Sequence, residues 1–100
     1  MTSRHWTGLC KAKKADEYVQ YLRSETFAHL KTLDGFIKAE IHQRKITEGV
    51  EFLIVTFWQS GDAIKSFAGP LPNVAVVPKV VHDMMVTYDK YVRHYEVYNV

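Results

Sequence analysis

The chain has 100 residues, of which 47% are hydrophobic and 24% are charged, and its formal net charge is +2. This length predicts one domain spanning residues 1–100, and the weak charge argues against a nucleic-acid partner, which would need a longer basic stripe. No apolar run approaches the ~20 residues of a membrane span, and the N-terminal MTSRHWTG has no signal-peptide core, so no membrane partner is expected. The lone Cys10 fits a reducing compartment, which indicates a cytoplasmic protein.

The first element in chain order is a strand from Ser3 to Cys10, whose side chains alternate between two faces. A long helix follows from about Lys14 to Leu33, because apolar side chains recur there at helical spacing. Those side chains belong to Ala15, Tyr18, Val19, Leu22, Thr26, Leu30 and Leu33. Gly35 then supplies a left-handed residue that ends the helix.

A second strand runs from about Phe36 to Ile46, and a turn at Thr47–Gly49 folds the chain back into a third strand. The two strands therefore form an antiparallel hairpin. Ser60 is a suitable N-cap for a short helix after the hairpin, and Gly69 closes that helix.

The segment from Leu71 to Val86 has the least regular pattern in the chain. It contains an apolar run at Val74–Val77, and Pro78 is suited to open another short helix that continues through Met85. A final strand, rich in tyrosine and valine, is predicted from about Val86 to Tyr98.

The third strand lies in the segment EFLIVTFWQS and is apolar on both faces. The alternating sets are Leu53, Val55 and Phe57 on one face, and Phe52, Ile54 and Trp58 on the other. Such a strand is typical of a sheet covered on both sides. A chain this short covers one face with its own helices, so a second copy of the chain is the expected cover for the other. The predicted fold is α+β: a ferredoxin-like antiparallel four-stranded sheet with helices on one face, forming a dimeric α/β barrel.

Several short motifs occur in an order and at separations that resemble the antibiotic biosynthesis monooxygenase (ABM) domain family. They are Trp6-x-Gly8, Ala15 to Tyr18, Gly35-Phe36, the Glu51 to Ser60 segment, Ala63 to Gly69, and His94 to Val97. The resemblance spans nearly the whole chain. It implies a homodimeric barrel with a small pocket between sheet and helices. It also implies oxidation of aromatic polyketides or quinols by molecular oxygen without metal or flavin, or else haem degradation.

The sequence departs from both active groups of that family. In the cofactor-free polyketide oxygenases an Asn precedes the third-strand Trp by four residues and a Tyr follows it by six, whereas Ile54 and Ile64 stand here. In the haem-degrading members an Asn, a Trp and a His form the site. Trp6, Phe67 and the Val74–Val77 stretch stand near those places, so haem degradation is disfavoured on chemical grounds.

Four residues are candidates for binding a substrate. Trp58 and Trp6 could stack on a planar compound, Tyr18 could present its hydroxyl from the long helix, and Arg4 could anchor a carboxylate or phenolate. The alternatives are that both Trp side chains fill the core and that Arg4 is a solvated charge.

His94 is the candidate catalytic base, because an imidazole titrates near neutral pH and suits proton abstraction from a phenol or enol. The alternative is a hydrogen-bonded structural histidine in the last strand. The five histidines have no metal-ligand spacing, so neither a metal nor another cofactor is expected.

The sequence thus predicts a cofactor-independent monooxygenase for a small aromatic or quinol-like compound, with itself and that small aromatic molecule as partners. The alternative is a non-catalytic small-molecule-binding or stress-related dimeric barrel protein that lacks the site. The absent Asn and Tyr support this second hypothesis, whereas the family resemblance supports the first.

Overall fold

A five-stranded antiparallel sheet forms one layer of the protein, and the computed structural model describes all residues from 1 to 100. The strands are β1 (Thr2–Cys10), β2 (Phe36–Ile46), β3 (Gly49–Trp58), β4 (Met85–Tyr88) and β5 (Arg93–Glu96). Their order is β2-β3-β1-β4, and β5 pairs with the other half of β1. The predicted hairpin of β2 and β3 is confirmed, as is the antiparallel α+β class.

The final strand differs from the prediction, because it is broken into two short strands instead of running unbroken from Val86 to Tyr98. Between the two strands the chain leaves β1 and pairs with an earlier segment: Tyr91 forms an isolated bridge with Val74, and the Val92 N–H donates to the Asn73 carbonyl. β4 and β5 therefore share the same edge of the sheet, where each pairs with a different half of β1.

The helices lie on one face of the sheet. The first runs as α1 (Ala15–Tyr21), a π-helical turn (Leu22–Thr26) and α2 (Phe27–Leu30), and it ends at Leu30 instead of Leu33. Gly35, with a φ of 85°, lies in the turn before β2, where a Cβ would stand 2.5 Å from the Cβ of Ala63. This glycine therefore allows the following helix to approach the turn closely, rather than ending the first helix.

Two shorter helices follow the hairpin. They are α3 (Gly61–Ala68) and α4 (Lys79–Met84). The Ser60 side chain accepts a hydrogen bond from the Ala63 N–H at 3.3 Å, and Gly69 closes α3 with a φ of 77°, which confirms both predicted caps. No helix combines the length and the apolar character that crossing a membrane requires.

The two faces of β3 have different surroundings. Phe52, Ile54 and Trp58 are buried beneath the helices, as the alternation predicted. On the other face, which no helix covers, Leu53 and Phe57 are only partly buried, Val55 is buried, and Lys38 Nζ lies 4.7 Å from the centroid of the Phe57 ring. The sheet therefore presents one open face.

The Trp6-x-Gly8 motif has a steric cause. The two residues point to the same face of β1, and the Trp6 ring lies over Gly8, where an added Cβ would stand 2.4 Å from the ring. Trp6 also donates its indole N–H to the Asp89 carbonyl at 2.9 Å, which fixes the ring. A side chain at position 8 would therefore displace Trp6.

We expect Gly8→Ala to lower the free energy of unfolding by about 1–3 kcal/mol, because overpacking forces the ring from its position. Urea denaturation with tryptophan fluorescence measures this change. Gly61→Ala is the matched control, since a Cβ there meets no atom within 4 Å, and its stability should equal or exceed that of the wild type. Equal stability of the two variants would contradict the steric explanation.

Candidate functional site

A cavity of about 80 Å³ lies between the helices and the covered face of the sheet. Fifteen residues line it, and eleven of them are hydrophobic. They are Arg4, Trp6, Tyr18, Leu22, Thr26, Phe27, Leu30, Ile54, Thr56, Phe67, Val76, Val77, Pro78, Val81 and Val92. The cavity is thus a largely apolar space with a few polar groups, which is the usual character of a small-molecule site.

The π-helical turn aligns the helical wall of the cavity. Tyr18, Leu22, Thr26 and Leu30 all line the space at intervals of four residues. In a regular α-helix such a series drifts by roughly 40° at each step, since one turn takes 3.6 residues. The wider turn at Leu22–Thr26 offsets part of this drift and keeps the series facing the sheet.

Arg4 is the most unusual residue of the lining. Its side chain is 5% exposed, and no carboxylate pairs with it. The Nη1 group donates to the Pro72 carbonyl and lies 3.0 Å from His94 Nε2, while Nη2 donates to the Val74 carbonyl at 3.1 Å. Burial lowers the pKa of Arg4 to about 10, which leaves the guanidinium charged at neutral pH.

His94 lies behind Arg4 and is not part of the cavity lining. A guanidinium has no acceptor atom, so the contact requires the Nε2 lone pair of His94 to accept the hydrogen bond and its proton to reside on Nδ1. Partial burial lowers the pKa of His94, and the charges of Arg4 and His5 lower it further. The lone pair that a catalytic base would need is therefore already occupied by Arg4.

Tyr18 lines the cavity and is 3% exposed. Its ring meets Phe52 edge to face, with a centroid distance of 4.9 Å, while its hydroxyl has no hydrogen-bond partner in the chain. No fully buried side-chain polar atom lacks a partner, so this hydroxyl keeps some accessible surface, and the Tyr18 side chain is one of those that line the cavity. Burial is the largest cause that raises the pKa of Tyr18, and Cys10 and Tyr21 raise it further. The phenol therefore stays protonated and can donate a hydrogen bond.

The two tryptophans have different positions. Trp6 forms part of the wall, with its indole N–H already bound to the Asp89 carbonyl. Trp58 does not line the cavity, because it is fully buried with Leu30 and Ile64 and donates its N–H to Thr56 Oγ1 at 2.9 Å. Trp58 therefore has the space-filling position that was the alternative to a direct contact.

The structure brings Arg4, Trp6 and Tyr18 together at one cavity and leaves Trp58 and His94 one layer away. Thr26 and Thr56 also line the cavity, although neither was predicted as a site residue. Thr26 lies on the predicted apolar stripe and Thr56 on the inward face of β3, so both positions were visible in the pattern. No sequence pattern indicated that the carbonyls of Pro72 and Val74 would accept hydrogen bonds from Arg4. No three His, Cys, Asp or Glu side chains come together as a metal site would require.

A family model described as antibiotic biosynthesis monooxygenase matches residues 10–69, more than half of the chain. The chain belongs to this family. No protein of curated function matches the sequence.

Solved structures with the ABM fold superpose on nearly the whole chain. A Bacillus cereus protein described as an antibiotic biosynthesis monooxygenase is 20% identical with a TM-score of 0.67, and the match covers 99% of this chain and 92% of that one. A variant of SnoaB, a cofactor-independent oxygenase from Streptomyces nogalater, is 14% identical with a TM-score of 0.69, covering 99% and 94%. A variant of MhuD with two manganese protoporphyrin IX molecules per active site is 16% identical with a TM-score of 0.69, covering 100% and 98%. At these identities the likeness shows the fold alone.

The lowered pKa of His94 predicts a pH dependence of stability. The unfolded chain takes up a proton at this residue at a higher pH than the folded protein does, so stability should fall as the pH drops below about 6.5. His94→Gln keeps an acceptor for Arg4 but cannot titrate, and it should show a smaller fall in the urea midpoint between pH 7 and pH 5. His5 has a lowered pKa as well, so part of the fall should remain.

The matched control for this measurement is His29→Gln, because His29 is exposed on α2 and contacts neither Arg4 nor His5. Its midpoint should follow the wild type at every pH. A wild-type midpoint that is constant or rises towards pH 5 would contradict the neutral state assigned to His94.

Proposed function

We propose that the protein is a cofactor-independent monooxygenase-type enzyme that binds a small aromatic or quinol-like compound in this cavity. The observation that carries the proposal is an apolar space with one buried cation, Arg4, and no carboxylate to neutralise it. Oxygen chemistry without a cofactor needs a substrate whose deprotonated form can pass an electron to oxygen. A fixed cation in a water-poor site stabilises that anion more strongly than water does.

The substrate loses its proton because of the positive charge of Arg4, and not through a base within the cavity. The lining holds no carboxylate and no imidazole, and the His94 lone pair is occupied. The guanidinium lowers the pKa of a phenol bound beside it, because a nearby positive charge favours the ionised form. The proton then leaves through water at the cavity mouth, while His94 holds the guanidinium in position.

The size of the cavity limits the range of compounds that can bind in it. An engineered apolar cavity of about 150 Å³ binds benzene, and the present cavity has about half that volume. Val76 lines the cavity and is 45% exposed, so a single ring requires outward movement of this side chain or a position that extends into the open side of the cavity. A polycyclic compound or a tetrapyrrole needs several times more room, and no histidine lines the cavity to ligate a haem iron. The residues present therefore do not fit haem.

The second candidate function is a binder without catalysis. The observation that favours it is Ile54, which lines the cavity at the place where the resemblance to the polyketide oxygenases implies an Asn. Ile64, at the place of their Tyr, is buried in the core and does not reach the cavity. A protein with this lining would bind the same class of ligand through Arg4 and release it unchanged.

We further propose that the open face of the sheet binds a second copy of the chain. Leu53 and Phe57 form its apolar centre, and the neighbouring strand β2 carries charges of both signs. Those charges pair within the face, as in Lys38 with Glu40 and Arg44 with Glu51. A patch of mixed sign is compatible with a two-fold contact, in which the same surface meets itself.

The enzymatic proposal predicts oxygen uptake when the purified protein is mixed with a single-ring hydroquinone. Arg4→Gln removes the cation and should lower kcat/KM by about 10- to 100-fold, since a hydrogen bond to a charged group contributes about 1.5–3 kcal/mol. Arg23→Gln removes the same charge from an exposed helix position and should leave the rate unchanged. Tight binding of the hydroquinone without oxygen uptake would establish the binder instead.

The self-association proposal predicts that the wild type sediments as a dimer at micromolar concentration. Leu53→Lys places a charge at the centre of the open face and should shift the protein towards monomer. Leu71→Lys is the control, because Leu71 is 67% exposed and lies outside the sheet. A wild type that sediments as a folded monomer would overturn the proposed contact.

A further inference from the structure

Arg4 is the only charged residue in the lining of the cavity. Its charge is partly satisfied by neutral acceptors, namely two backbone carbonyls and the His94 imidazole. None of these acceptors carries a negative charge, so the positive potential of the buried guanidinium is not cancelled within the chain. The cavity next to it is therefore complementary to one negative charge and not to two.

The hydrogen bonds of Arg4 leave a defined part of the guanidinium free. A guanidinium has five N–H donors, and here Nη1 uses two and Nη2 uses one. The remaining donors are the Nε–H and one N–H of Nη2, and no group of the chain accepts from either. Paired donors on one edge of a guanidinium match the two oxygens of a carboxylate, whereas a phenolate offers only one oxygen.

A second, neutral donor is available on the helical wall. Tyr18 lines the cavity, belongs to an apolar cluster, and its hydroxyl has no partner in the chain. It can therefore donate to a hydroxyl or carbonyl oxygen of a ligand, while the aromatic rings of Trp6 and Phe67 enclose an apolar body.

We propose that the cavity selects a single-ring aromatic monocarboxylate, whose carboxylate binds to the free donors of Arg4 and whose ring substituent accepts from Tyr18. This substrate class applies to the cavity beside Arg4 and rests on the proposed function, in which that cavity is the binding site. The selection is a property of binding and does not require catalysis. A neutral quinol is then a poorer ligand than an aromatic acid of the same size.

Titration calorimetry with benzoate and benzamide tests this selection, because the two compounds have nearly the same shape and differ in charge. The wild type should bind benzoate at least tenfold more tightly than benzamide. Arg4→Gln should remove that difference by weakening benzoate alone, and Arg23→Gln, which removes an exposed charge, should keep it. If the wild type binds both compounds with equal affinity, the proposal is overturned. This outcome does not depend on the folding of any variant.

The role of Tyr18 is tested with the three hydroxybenzoate isomers. At least one isomer should bind about three- to tenfold more tightly than benzoate, in line with one neutral hydrogen bond, and Tyr18→Phe should abolish that gain while leaving benzoate unchanged. If no isomer binds more tightly than benzoate, or if the gain survives in Tyr18→Phe, the assignment of Tyr18 is overturned.

Oxygen uptake separates this inference from the proposed function. Selective benzoate binding, combined with no uptake on dihydroxybenzoates or hydroquinones, supports the carboxylate site and refutes the enzyme. Uptake on hydroquinone together with equal affinity for benzoate and benzamide supports the enzyme and refutes the carboxylate site.

Discussion

The buried guanidinium of Arg4 is the interaction on which the site depends. Removing a cation from water is costly, and here the cost is offset without a carboxylate, by two carbonyls of the segment before α4 and by His94 of β5. These acceptors come from parts of the chain that are distant in sequence. One side chain of β1 therefore holds together the segment that walls the cavity and the last strand of the sheet.

The cavity exists because the core is divided. One hydrophobic cluster surrounds Tyr18 and Phe52, and a second, smaller cluster contains Leu30, Trp58 and Ile64. Phe27 packs against both, and the cavity lies between them beneath the π-helical turn. Arg4 and Thr56 place polar groups at this junction, where each is hydrogen-bonded, as buried polar groups must be.

Much of the fold followed from local patterns. The strands from Ser3, Phe36 and Glu51 were predicted because alternation, the hairpin turn and double-sided apolarity act over a few residues. The cap at Ser60 was predictable for the same reason. The prediction of one long final strand was wrong, because the residues between β4 and β5 pair with the segment around Val74, and no local pattern records such a distant competitor.

The candidate site was predictable only in part. The alternation of β1 placed Arg4, Trp6 and Gly8 on one face, and the helical stripe placed Tyr18 towards the same layer. Whether an inward residue touches a cavity or fills a core depends on packing, which is why Trp58 proved to be buried beside the space and not within it. The same holds for His94, whose lone pair is engaged by a residue ninety positions away.

The sequence by itself determined the elements, their inward faces and membership of the ABM family, because these follow from periodicities and motifs along the chain. Only the tertiary structure decided that Arg4 is buried without a counter-charge, that Tyr18 lines a cavity with its hydroxyl unpaired, and that Trp58 fills the core beside that cavity. The physical reason is that burial and hydrogen-bond satisfaction are properties of the neighbours, and those neighbours are brought together only by the fold.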